Sequence, residues 1–207
     1  PNSPNRYVAV TTVSVRGQVV DTVETPFGIR TVEMIPDKGM FINGEFFKMN
    51  GVCDHHDLGA IGSAVNVRAL ERQLQILREM GCNAIRTSHN PPTPELLDLS
   101  DKMGFVVMDE SFDTWRGTKT PNDYGRIFDQ WHEQDMRMLV RRDRNHPSVV
   151  MWSVGNEVGE QGQGESGAAV ARELVGFVRE EDSTRPITSA ANSASPGSPY
   201  AKAMDAI

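Results

Sequence analysis

Cysteine, positive charge and long apolar runs are all scarce in this 207-residue sequence. Its two cysteines, Cys53 and Cys82, cannot make a disulfide framework. Each flanks an apolar segment, where a buried thiol is the ordinary outcome, so the redox compartment stays open. A net charge of −7, with a pI near 5.2, supplies no basic excess to neutralise phosphates. That argues against nucleic acid or an acidic membrane surface as partner and favours an uncharged or weakly charged ligand. No apolar run approaches the ~20 residues of a membrane span, and the opening P-N-S-P-N-R holds no signal-peptide core. A signal can be removed, so location stays open. What remains, 38% hydrophobic and 24% charged, is the composition of a globular protein with one or two cores.

Residues 1–35 read as β structure. Tyr7–Val15 and Gln18–Val23 are β-branched, roughly alternating runs, with Gly17 and the Pro26–Gly28 corner as turns. So few strands would leave edges and one apolar face bare, so this part is expected to be the end of a larger β-sandwich domain. Ile35–Gly39 reads as a linker.

Residues 36–207 alternate strand and helix after a hairpin signal at Asn43-Gly44, where both central positions need positive φ. Phe47–Cys53, Asn83–His89, Phe105–Glu110, Val149–Val154 and a run starting at Arg185 are the strands. Helices are marked by Val67, Leu70, Leu74 and Leu77 on one face, by the opening Thr93-Pro94-Glu95, by residues 127–142, and by Val170, Leu174, Phe177 and Val178. Five βα-type strands argue for a parallel sheet or a (β/α)8 TIM barrel. Polar residues favour the barrel, because they follow four different strands: Asp54, His55 and His56; His89 and Asn90; Asp109 and Glu110; Asn156 and Glu157. A doubly wound sheet would gather its ligand groups at one switch point, and no G-x-G-x-x-G follows the first strand. About five of the eight barrel strands are expected here.

Glu157, closing the run from Asp143, is the main candidate for chemistry. In a largely apolar site its neutral form would be favoured, as a general acid requires; the plainer alternative is a loop acid. Asn156 offers a donor and acceptors for a hydroxyl-rich ligand, or forms a turn after Gly155. In the Cys53–Asp57 cluster, alternation puts Asp54 with His56, and Cys53 with His55. With no HExxH or CxxC spacing in support, hydrogen bonding to a ligand or carboxylate is a better reading than a zinc site. His89 is read as a substrate contact or a structural hydrogen bond, on the same face as Arg86, which can hold a carboxylate bidentately. His146 precedes the fourth strand and reads as structural. Trp115, in a loop on the ligand face, is the aromatic expected to stack on a sugar ring.

Four segments, N-H-P-S-V-V-M-W-S-V-G-N-E from Asn145, N-A-I-R-T-S-H-N-P from Asn83, N-G-V-C-D-H-H-D-L-G from Asn50 and M-D-E-S-F-D-T-W from Met108, resemble glycoside hydrolase family 2, in particular its β-galactosidase-type members. The resemblance implies a retaining exo-glycosidase with a TIM-barrel catalytic domain, preceded by immunoglobulin-like β-sandwich domains. It implies Glu157 as acid/base, Asn156 on the sugar 2-hydroxyl, His89 as a substrate contact and Arg86 as support for the nucleophile. The family's nucleophile is a Glu on the seventh barrel strand, which these residues are not expected to include, so this stretch alone is expected to be inactive. Some galactosidases of the family bind magnesium through a Glu and a His after the third strand. Here the sequence reads Asp113-Thr114-Trp115, and neither a metal nor any other cofactor is expected. The expected substrate is a carbohydrate with a terminal β-linked sugar, galactose ahead of glucuronic acid or mannose, and a homo-oligomer is left open. Rival readings are a carbohydrate-binding pseudoenzyme and, more remotely, a metal-dependent hydrolase.

Overall fold

The computed structural model describes residues 2–206. Its largest sheet has five parallel strands in consecutive order: β6 (Gly51–His55), β7 (Ala84–Ser88), β8 (Val106–Glu110), β9 (Val149–Ser153) and β10 (Ile187–Thr188). Four helices connect them: α1 (Val67–Glu79), α2 (Pro94–Met103), α3 (Phe128–Asp143) and α4 (Glu165–Glu181). Successive neighbours, all parallel and each crossed over by a helix, form the wall of a (β/α)8 barrel, of which five strands are present.

The helices begin and end where their sequences demand. The Asn66 side chain accepts from Ala69 N at 3.0 Å to cap α1, and Pro94 opens α2 where its missing N–H is not needed. Gly104 ends α2 at φ 75°, a conformation that favours glycine. Their apolar faces, with Leu74, Leu97, Phe128, Val140, Leu174 and Val178 all buried, pack on the outward side chains Ile85, Val107, Trp152 and Ile187. At Gly167 an added Cβ would lie 1.8 Å from the Glu160 carbonyl oxygen, so α4 crosses that turn at a distance only glycine permits.

Pairing across the wall fixes which side chains point inward. Cys53, Arg86, Met108 and Met151 are aligned in one row, and Glu110 and Ser153 in the next. A bulge at Val107/Met108 keeps the rows in step.

Two β layers lie at the amino end. β3 (Val32–Ile35), β4 (Gly39–Ile42) and β5 (Glu45–Phe47) form an antiparallel sheet. Met40 and Ile42 from it pack with Ala84, Val106 and Val150 to close the bottom of the barrel. The segment Ile35–Gly39, read above as a linker, is therefore the turn of a β3–β4 hairpin, with Lys38 N donating to Ile35 O at 3.0 Å. Sheet pairing crosses residue 35, where the sequence suggested a division. Asn43 and Gly44 do adopt the positive φ values, 52° and 77°, that their hairpin needs. The first strand of the barrel starts at Gly51, later than Phe47, because Phe47 is spent on β5.

The second layer is the hairpin of β1 (Tyr7–Val15) and β2 (Gln18–Phe27), turning at Arg16-Gly17 with φ 51° and 81°. Val8, Val10, Val13, Val19 and Val20 on it are exposed. Arg30 ties the hairpin to the barrel by donating to the carbonyls of Pro147 (2.9 Å) and Val149 (2.6 Å). Arg185 donates to the same Val149 oxygen at 2.7 Å. Leu174, with 0% exposure, is expected to report the helix–wall packing: Leu174→Ala should destabilise the barrel of the full-length protein by about 2–5 kcal/mol in denaturant melts.

Candidate active site

The polar side chains that converge at the carboxyl end of the wall are organised by Glu110. It points into the barrel from the last position of β8 and is completely buried. A carboxylate there is tolerable only if its oxygens are matched by charge and donors. Arg86 supplies both from β7, with Nε donating to Oε2 at 2.8 Å and Nη2 to Oε1 at 2.9 Å. Ser153 on β9 donates to Oε2 at 2.5 Å, and His89 Nδ1 lies 2.7 Å from Oε1. Burial works against the Arg86 cation, yet the Glu110 charge holds it above the usual guanidinium value.

The expectation that strand alternation puts Arg86 and His89 on one face is corrected, since they are three positions apart. They meet because β7 ends at Ser88 and the chain turns there, letting His89 reach back over the rim. With Nδ1 held by Glu110, His89 keeps Nε2 for another partner. His55 stands edge-on to the His89 ring, with centroids 5.0 Å apart, and Cys53 Sγ accepts from Arg86 Nη1 at 3.7 Å. Of the Cys53–Asp57 cluster, Cys53 and His55 therefore face the site.

Asp54 does not. As the residue between them it points to the helix side, lining a small cavity with Leu70, Gln73, Thr87 and Leu96. Burial raises its pKa, and His55 and His56 pull it back in part. The expectation that Asp54 shares the rim with His89 and Arg86 is corrected by the two-residue period of β6.

Asn156 joins the cluster to two loops. Its Oδ1 accepts from Arg86 Nη2 at 2.9 Å, and its Nδ2 donates to Asp113 Oδ1 at 2.9 Å. Its backbone N–H donates to Phe112 O, also at 2.9 Å. The next residue, Glu157, is exposed, with φ 45°. So little enclosure comes from these residues that the apolar surroundings expected for it are not met within them.

Trp115 is also corrected. It has no exposure and stacks on no open surface. Its Nε1 donates to Val154 O at 2.8 Å and its ring lies under Gly155, where an added Cβ would come within 2.7 Å of Nε1. Trp115 thus shapes the Gly155–Glu157 turn from below. A Trp in a polar loop carries the same local signal whether it stacks on a ligand or folds back into the core, and only the tertiary packing distinguishes them. Glu110 and Asp113 were named from the sequence without a role in the site, and Lys119 was not named at all. Glu110 had a visible signal, as the one inward-facing acid on β8.

The donors do not suit a divalent cation after β8. Asp113 Oδ1 is engaged by Lys119 Nζ (2.9 Å) and Asn156 Nδ2, and Thr114 and Trp115 follow it. Among the described residues, the group with metal-ligand spacing is Asp98, Asp101 and His146, at the opposite, amino end of the wall. Both Asp101 oxygens are already taken there, by His146 Nδ1 at 2.7 Å and Ser148 N at 2.9 Å, which makes His146 the structural residue it was expected to be.

The family model described as "Glycosyl hydrolases family 2, TIM barrel domain" matches residues 33–205. The chain belongs to glycosyl hydrolase family 2. Among similar family 2 proteins, the β-galactosidase BoGH2A of Bacteroides ovatus is 47% identical over 95% of this chain and 27% of its own length. A β-glucuronidase of Bacteroides fragilis is 36% identical over 85% of the chain and 25% of its own. The crystal structure of a family 2 member from Bacteroides cellulosilyticus superposes with a TM-score of 0.93 at 38% identity, covering 98% of this chain and 26% of that one. This family 2 chain thus spans about a quarter of the length of these relatives.

Removing the Arg86 guanidinium would strand the Glu110 charge in the barrel. Arg86→Ala should cost about 3–5 kcal/mol, and the double variant Arg86→Ala/Glu110→Ala should recover part of it. Thermodynamic cycles from denaturant melts of the full-length protein check this, and equal costs for single and double variants would refute it.

Proposed function

We propose that the full-length protein is a retaining exo-glycosidase that removes terminal β-linked sugars, most readily β-galactosides, with Glu157 as its acid/base. One observation carries the reading. Arg86 and Asp113 hold the two ends of the Asn156 amide, at 2.9 Å each, so that the turn presenting Glu157 is built from the same network as the rim of the barrel.

The chemistry follows from what each group has left. The amide of Asn156 keeps one N–H and one lone pair for a sugar hydroxyl. His89 keeps Nε2 for another. Glu157, exposed at the rim, protonates the leaving oxygen and then takes a proton from the attacking water. In a retaining enzyme the second carboxylate lies about 5–5.5 Å away and forms the glycosyl-enzyme intermediate; the family supplies it from the seventh barrel strand. Arg86 stands in this scheme as the residue that aligns Glu110 and Asn156, and its role toward the nucleophile is part of the same proposal. The exposed β1–β2 hairpin is read as the tail of a β-sandwich domain, with the division nearer residue 30 than 35 because β3 pairs with β4.

A carbohydrate partner is also consistent with the acidic balance of the chain. The galactoside reading leans on the 47% identity with BoGH2A, named a β-galactosidase, whereas β-glucuronidases also occur among the relatives. A panel of nitrophenyl glycosides assayed with the full-length protein decides between them: the galactoside should be turned over best, with the β-anomer of the free sugar appearing first by NMR. Glu157→Gln should lower kcat/KM on alkyl glycosides by about 10²–10⁴-fold. Undiminished turnover of alkyl glycosides by that variant would sink the assignment of Glu157.

A further inference from the structure

Besides the Asn156 N–H to Phe112 O bond, the loop between β8 and α3 is tied to the turn after β9 at four further points. Trp115 Nε1 reaches Val154 O at 2.8 Å, Gly117 N reaches the buried Glu160 Oε1 at 2.9 Å, Asn156 Nδ2 reaches Asp113 Oδ1 at 2.9 Å, and Lys119 Nζ reaches Asn156 O at 2.8 Å. The last of these is the only one that brings a full positive charge. The same Nζ lies 2.9 Å from Asp113 Oδ1, so one ammonium joins the Asp113 carboxylate to the carbonyl that immediately precedes Glu157.

Lys119 is itself held in place. Asp123 accepts from the backbone N–H groups of Lys119 (2.5 Å) and Thr120 (2.8 Å) through Oδ2 and from Gly125 through Oδ1, fixing the loop from which the exposed lysine reaches Asp113 and Asn156. Burial would raise the Asp113 pKa, but hydrogen bonds from Lys119 and Asn156 and the lysine's charge outweigh it and hold the carboxylate below its usual range. A carboxylate oxygen and a backbone carbonyl meeting at one cation are the kind of oxygen ligands that a metal ion would also take. Here the cation is part of the chain.

We infer that Lys119 is a positioning residue whose ammonium, bridging Asp113 Oδ1 and Asn156 O, sets the turn that carries Glu157 and supplies there the positive charge that a bound metal ion would otherwise have to bring. This inference rests on the reading of Glu157 as acid/base. An ammonium is a point charge on a flexible stem and can satisfy two oxygens at once without the fixed octahedral shell that magnesium demands. Its effect on the first step should appear only when proton donation to the leaving group limits that step, which kcat/KM reports.

The test uses the full-length protein with two substrates of the same sugar, an alkyl glycoside that needs protonation and a dinitrophenyl glycoside that does not. Lys119→Met should lower kcat/KM on the alkyl glycoside by about 10²-fold and leave kcat/KM on the dinitrophenyl glycoside, which reports glycosylation without need of an acid, within about 3-fold, a split that a general loss of structure would not produce. Lys119→Arg, which keeps the charge, should recover most of the loss, and the wild-type rate should be unchanged by EDTA or added magnesium. Equal losses of kcat/KM on both substrates, no loss on either, or inactivation by EDTA that magnesium reverses would each overturn the inference. Should Lys119→Met fail to fold in thermal melts, Asp113→Asn, which removes the charge and keeps the shape, is held to the same split. Glu157→Gln is assayed alongside: if it leaves the alkyl glycoside reaction intact, the acid/base reading itself fails, whereas a loss there with none in Lys119→Met overturns only the role of Lys119.

Discussion

A carboxylate with no access to water is the constraint on which the rest of this structure depends. Glu110 sits inside the barrel wall, and its charge is sustained by the fork of Arg86, the hydroxyl of Ser153 and the ring of His89. Buried pairs of this kind are poor sources of net stability, because desolvation consumes most of the Coulombic gain. What they do provide is orientation. Arg86 has one geometry in which it can serve Glu110 with two N–H groups, and in that geometry its Nη2 also meets Asn156 Oδ1 and its Nη1 meets Cys53 Sγ. A single guanidinium thereby joins β6, β7, β8 and the turn after β9.

The two ends of the wall divide the labour. At the amino end, polar groups are consumed in pairs and carbonyl contacts: Asp101 with His146 and Ser148, Arg30 and Arg185 on the Val149 carbonyl, with Met40 and Ile42 closing the barrel beneath. At the carboxyl end, the network is unsaturated among the described residues, with an N–H of Asn156, the Nε2 of His89 and the carboxylate of Glu157 left unengaged. This follows the general rule that barrel enzymes keep stability below and chemistry above. Packing connects the halves, since Trp115 fills the space under Gly155 and so converts core volume into the shape of the turn that carries Glu157.

The strands and helices of the barrel were legible because their signals are local. The 3.6-residue spacing of Leu70, Leu74 and Leu77, the Pro94 start and the Asn43-Gly44 turn all became the elements they announced. Asn156 and His89 were legible through their positions at strand ends, whereas Arg86, in the middle of β7, was named for its bidentate guanidinium and through the family resemblance. Other residues were misplaced for definable reasons. Asp54 was put on the rim by its neighbours, although a strand's period sends it to the helix side, and which of the two alternations faces inward depends on pairing with β7. Trp115 was read from its polar loop, whereas the loop folds it into the core. Ile35–Gly39 looked like a linker because a Pro-Asp-Lys-Gly turn has the same composition in both settings.

The sequence by itself determined the class of fold, the order of its elements and the residue types at the carboxyl ends of four strands, because periodicity and turn chemistry act over a few residues. It carried the family as well, through runs long enough to be specific. Only the tertiary structure decided which acid lies at the centre, that Glu110 rather than Asp54 organises the rim, and that Lys119 reaches Asn156 across 37 positions of sequence. Those outcomes come from charge and volume that must be matched across strands and loops distant in the chain, and no local window of sequence contains both sides of such a match.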